Sequence, residues 1–155
     1  MLPLGLLVGA ARRRIKQAVT RQLRGLELAP QQFWVLVSLH ERPGLSLRAL
    51  AERHQMDSPT ASRIVDTLAT RGLVFARDDA ADRRRRCLGL TPRGCALARR
   101  AHPLALRTRA AVEAGFSDAE KDALRSLLQR IIANMERFER ERRRGTPRTG
   151  ARRVP

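Results

Sequence analysis

The chain has no tyrosine, one tryptophan and four phenylalanines among 155 residues. Proteins that hold single-stranded RNA or DNA stack bases on exposed aromatic rings, so a base-stacking platform has few side chains to draw on. Cysteine is equally scarce: Cys87 and Cys95 are too few for a disulfide framework and suit a reducing, cytoplasmic setting. His40, His54 and His102 are scattered without metal-ligand spacing, and neither a glycine-rich phosphate loop nor a nucleophile motif occurs. No enzyme, no metal site and no cofactor are expected. Long apolar runs are missing too. Leu2 to Ala10 is apolar, but the basic cluster Arg12, Arg13 and Arg14 follows it, the reverse of a secretory signal, and such a short stretch cannot span a bilayer. No membrane partner is expected.

What the chain does have is positive charge. The formal net charge is +17, and lysine occurs only at positions 16 and 121, so arginine supplies nearly all of it. That balance favours a polyanionic partner, bound with release of counterions. Arginine in place of lysine fits bidentate contacts to phosphate and guanine, and fits equally the codon bias of a genome rich in G and C. The length allows one domain with a proper core and is short for two.

The stretch from Leu45 to Thr91 organises the rest: helix, turn, helix, strand, arginine-loaded loop, strand. In the second of these helices, Pro59 to Arg71, a 100° spacing puts Ala61, Ile64, Val65 and Leu68 on one side. Arg63 and Thr70 point away, with Thr60, Ser62 and Thr67 on the flanks. Short hydroxyls and a guanidinium suit a helix that enters the DNA major groove; an ordinary amphipathic surface helix reads the same way. Ser46 caps the preceding short helix, and Ser58 with Pro59 is the expected N-cap and first-turn pair of the second. Two helices joined by the tight polar link His54 to Asp57 form a helix-turn-helix pattern. Leu73 to Ala76 then reads as a strand and Cys87 to Leu90 as its return, with Asp82 and the run Arg83, Arg84, Arg85 and Arg86 between them. Asp82 can hold Arg84 in one orientation for a narrow minor groove, and a solvated charge run is the alternative.

Around this centre the periodicity predicts a first helix over 3–24, an apolar central helix opening at Pro30, a long helix launched by Thr91 and Pro92, and a last helix opened by the capping box of Ser117 and Glu120. Leu124, Leu127, Leu128, Ile131, Ile132, Met135 and Phe138 make an uninterrupted stripe on the last one. The segment 142–155 is Arg, Gly, Pro and Thr without apolar periodicity, and is expected to be a disordered basic tail.

Together these pieces resemble the MarR family of bacterial transcriptional regulators. The resemblance is carried by Leu28-Ala-Pro-Gln-Gln-Phe33, Leu45-Ser-Leu-Arg-Ala-Leu-Ala-Glu-Arg53, Ser58-Pro-Thr-Ala-Ser-Arg-Ile-Val-Asp66, Leu68-Ala-Thr-Arg-Gly-Leu-Val74, Asp82-Arg-Arg84 and Leu90-Thr-Pro-Arg-Gly94, in that order. It implies a mainly α fold, a winged helix-turn-helix over 30–90 with a two-stranded β-wing, and dimerisation helices over 3–24, 91–114 and 117–141 within a single domain 1–141. It also implies a homodimer on a pseudopalindromic double-stranded DNA operator, acting as a repressor and released by a small phenolic or carboxylate effector. By position, Ser58, Thr60, Ser62 and Arg63, with Thr67 beside them, would meet the major groove. Arg83, Arg84 and Arg85, supported by Asp82, would meet the minor groove. Trp34 and His40 lie on the central helix where family pockets sit. Ala29 stands where the family has a capping Ser or Thr, and Arg86 and Cys87 occupy strand positions more often apolar, which leaves the wing register open. The alternative is a nonspecific basic nucleic-acid-binding protein, which explains the charge alone.

Overall fold

The computed structural model describes residues 1–78 and 86–145. Eight elements follow in order: α1 (Leu4–Gln22), α2 (Pro30–Glu41), α3 (Leu47–Arg53), α4 (Ser58–Thr70), β1 (Val74–Asp78), β2 (Arg86–Leu90), α5 (Pro92–Glu113) and α6 (Asp118–Gly145). They fall into two compact units, one ending at Val112 and the other starting at Glu113. The fold is mainly α with a two-stranded antiparallel wing, as the sequence predicts. Among the described residues no helix is long and apolar enough to cross a membrane.

Helix α2 is the axis of the first unit because it is apolar nearly all round: Phe33, Val35, Leu36, Val37, Ser38 and Leu39 are all buried. Leu50 of α3, Leu68 of α4 and Leu73 close over it, each 2 % exposed or less. Its N-terminus has no capping side chain at Ala29, and Gln32 compensates by accepting the Ala29 N–H at 3.0 Å. Helix α1 contributes Val19 and the following Leu23 to this core, whereas Leu4, Leu6, Leu7 and Val8 near its start are exposed.

The wing starts where Gly72, at φ +67°, ends the α4 turn. Val74 pairs with Leu90 and Arg77 with Cys87, which resolves the register. The strands are longer than expected, β1 reaching Asp78 and β2 starting at Arg86. A neighbouring segment supports β2: the Leu88 N–H donates to the Leu45 carbonyl at 2.8 Å, and Ser46 bridges Cys87. This explains an unexpected residue at a strand position, since Cys87 is buried.

In the second unit, Ser117 and Glu120 form the expected capping box: the Ser117 N–H donates to Glu120 Oε2 at 2.8 Å and the Glu120 N–H to Ser117 Oγ at 3.3 Å. Helix α6 continues to Gly145, four residues into the segment expected to be disordered. Arginine is a good helix former, and no breaker occurs before that glycine. Among the described side chains of α6 none is buried: Leu124, Leu127, Leu128, Ile132, Met135 and Phe138 are 38–52 % exposed.

Candidate nucleic-acid interface

Helix α4 is built as predicted on its inner side, where Ala61, Ile64, Val65 and Leu68 are buried. The link before it is a tight turn: Gln55 takes φ +50°, and the Met56 N–H returns to the Ala51 carbonyl at 3.0 Å. The start of the helix differs from expectation. The N-cap is Asp57, whose carboxylate accepts the Thr60 N–H at 2.7 Å, so that Ser58 and Pro59 occupy the first turn. A carboxylate at this end also meets the positive pole of the helix, an advantage the Ser58 hydroxyl lacks. The Thr60 hydroxyl and amide hold the Asp57 carboxyl below its ordinary range.

On the outer face, Ser58, Arg63 and Thr67 are exposed, and Thr60 and Ser62 are half-buried. Hydrogen bonds sort them further. Arg63 Nη2 donates to Thr60 Oγ1 at 3.3 Å, which steers the guanidinium toward the helix start. The Thr67 hydroxyl donates back to the Arg63 carbonyl at 2.8 Å, and Ser62 Oγ donates to Asp66 Oδ2 at 3.3 Å. Ser58 and Arg63 therefore form the open edge, while Thr60, Ser62 and Thr67 are partly engaged within the helix. Asp66, which the sequence reading gave no place on the outer face, adds a carboxylate there. Asp82, Arg83, Arg84 and Arg85 lie outside the described residues.

A second set of residues went unread in the sequence. At the end of α2, the Glu41 carboxylate receives Arg53 Nη2 of α3 at 3.2 Å. From α5 it receives Arg109 Nη2 at 3.1 Å and Arg109 Nη1 on its other oxygen, and His102 Nε2 lies 3.4 Å from it. The Arg109 hydrogen bond, opposed by burial and reinforced by the charges of Arg109, Arg53 and His102, holds the Glu41 carboxyl below its ordinary value. Trp34 and His40 border this cluster: Arg109 lies 5.7 Å over the Trp34 ring, and the His40 and His102 rings are 5.3 Å apart. A separate cleft of about 270 Å³, lined by Leu26, Arg71, Leu73, Arg93, Leu97 and Arg100 among others, does not include Trp34 or His40.

Ser38, buried between α2 and α3, accepts from Arg53 Nε at 3.3 Å and shares a hydrogen bond with His54 Nε2, 2.9 Å away. Burial and then the Arg53 charge push the His54 pKa below 6.5. The unfolded chain accordingly takes up a proton at His54 that the folded chain resists. Stability is thus full above pH 6.5 and falls as the pH drops from there toward the lower folded value. Urea unfolding between about pH 7 and pH 5 is expected to show this loss, and His54→Gln to flatten it; an equal slope in both proteins would contradict the assignment.

The matching family model is described as MarR family and covers residues 25–85, from the turn before α2 to the wing. A protein of Thauera aromatica named as a transcriptional regulatory protein for the hcr operon is 33% identical over 104 residues, which are 67% of this chain and 63% of that protein's length. The chain belongs to the MarR family. A further relative, the HTH-type transcriptional regulator YybA of Bacillus subtilis, is 28% identical over 84% of this chain and 87% of its own. The solved structure of Bordetella bronchiseptica BpsR superposes with a TM-score of 0.66 at 28% identity, over 83% of this chain and 97% of its own; that work concerns regulation of its DNA binding by 6-hydroxynicotinic acid. MarR family proteins are transcriptional regulators rather than enzymes, which sets a catalytic reading aside.

Proposed function

We propose that this MarR family chain is a homodimeric regulator that binds a pseudopalindromic double-stranded DNA operator in a sequence-specific way, as a repressor. One observation carries the reading: α4 buries its apolar face on the core and leaves Ser58 and Arg63 exposed on an edge that Thr60 borders, with an antiparallel ribbon beside it. An edge of that chemistry suits base edges and phosphates in the major groove. Arg83, Arg84 and Arg85, with Asp82 as their support, would reach the flanking minor groove. The apolar stripes left open on α1 and α6 favour a second copy of the chain as the dimer partner. A small phenolic or carboxylate effector beside Trp34 and His40 would meet the Arg109 guanidinium and the His102 ring, and the 6-hydroxynicotinic acid response of BpsR supports that chemistry.

The net charge of +17 favours a second reading, nonspecific coating of nucleic acid. A mobility-shift series on DNA from upstream of the protein's own gene separates the two. Selective binding in the presence of scrambled competitor at physiological salt supports the operator reading, and equal affinity for both DNAs rejects it. Arg63→Ala is expected to weaken selective binding by about 1 to 3 kcal/mol and to relax discrimination at one base position. Unchanged affinity and unchanged base preference would remove Arg63 from the reading edge.

A further inference from the structure

We propose that Glu41 is a positioning residue that ties α3 to α5, so that the placement of the helix-turn-helix follows the long helix behind it. The consequence for DNA rests on the operator reading above; the tie itself does not.

The geometry is a three-way junction. Glu41 ends α2, Arg53 ends α3, and His102 and Arg109 lie on α5. Only 17% of the Glu41 side chain is exposed, and within that space one carboxylate accepts a forked Arg109 and a single arm of Arg53. Bidentate guanidinium contacts are directional as well as strong, so they fix angle in addition to distance. Arg53 is held a second time by Ser38, and Arg109 a second time by the Trp34 face, which restricts both cations before Glu41 engages them.

Helix α3 needs such a tie. It has seven residues and buries only Leu50 and Ala51, too little to fix a short helix by packing alone. Its far end is secured by Ser46, whose hydroxyl accepts the Ala49 N–H at 3.1 Å. The end that leads into the turn before α4 is secured by Arg53 and by His54 on Ser38. Removing the Glu41 charge leaves two half-buried guanidiniums facing each other without their anion, which pushes α3 and α5 apart. A displacement of α5 is transmitted in the opposite direction through the same carboxylate.

The test is amide hydrogen exchange on the full chain, comparing wild type with Glu41→Gln, Arg53→Gln and the double variant. The expected result is exchange in α3 faster by about tenfold or more in each single variant, with no further gain in the double and no change at β1 and β2. Where wild type selects its upstream DNA, Glu41→Gln is expected to bind it about two- to thirtyfold more weakly. Unchanged α3 exchange overturns the proposal, as does an equal loss of protection across the whole unit, which would make Glu41 a general contributor to stability. Unchanged operator affinity in Glu41→Gln also overturns it. If wild type selects no DNA, the operator reading fails, and the exchange pattern alone decides the tie.

Discussion

Replacing Gly94 with alanine is expected to destabilise the protein by about 3 kcal/mol or more, seen as a fall in melting temperature of roughly 10 °C. An added Cβ would sit 1.9 Å from the Leu73 carbonyl oxygen and 2.9 Å from its carbon. Both are backbone atoms, and Leu73 is 2 % exposed, so no side chain can swing away to make room. The close approach is enforced by Thr91, which joins two elements at once. Its hydroxyl accepts the Gly94 N–H at 3.0 Å and donates to the Gly72 carbonyl at 2.7 Å, while its own N–H reaches the Leu73 carbonyl at 3.1 Å. Helix α5 thus starts against the exit of α4, and alanine forces the two apart. Gly89 is the internal contrast. There the added Cβ would fall 2.4 Å from Phe75 Cζ, but Phe75 is 40 % exposed and can rotate outward. Gly89→Ala is therefore expected to cost less. Thermal unfolding of both variants checks the order, and a Gly94→Ala melt matching wild type would show that the Leu73 backbone yields more easily than the packing implies.

The other large effect concerns assembly. Leu128→Glu with Ile132→Glu is expected to halve the mass in solution and to reduce operator affinity by about 10²- to 10⁴-fold, because one subunit reaches only one half-site and loses the gain from simultaneous engagement. Both residues belong to the exposed stripe of α6, at 38% and 39% exposure, and one helical turn separates them. Carboxylates placed there have no cost in an isolated subunit and a high one in a dry interface. Sedimentation equilibrium and mobility shift read the two consequences separately. A wild type that sediments as a single subunit, or a double variant that keeps the wild-type mass, would end the dimer proposal.

Much of the fold was legible because local signals agreed with each other. The inward residues of α4, the all-round apolar α2 and the Ser117 capping box all follow from spacing and cap chemistry, which act over a few residues. The misplaced cap is instructive. Asp57 and Ser58 are adjacent and both are good caps, and only the Thr60 hydrogen bond decides between them. The overrun of α6 has a similar origin, since apolar periodicity stops before residues 142–144 while the helix propensity of arginine carries on through them. The Glu41 junction was illegible for another reason. Arg109 is 68 positions away in the chain, and no pattern along a sequence shows that the end of α2 and the second half of α5 meet. The open edge of α4 was read in outline, but which hydroxyls remain free depends on Asp66 and on bonds to the helix's own carbonyls.

Trp34 sits edge-on to Phe33, with ring centroids 4.8 Å apart, and beneath Arg109. As the chain contains no other indole and no phenol, all of its indole emission arises at this one spot between α2 and α5. The molecule accordingly carries its own optical gauge: wavelength and quenching of that light follow the packing of two helices without any attached dye.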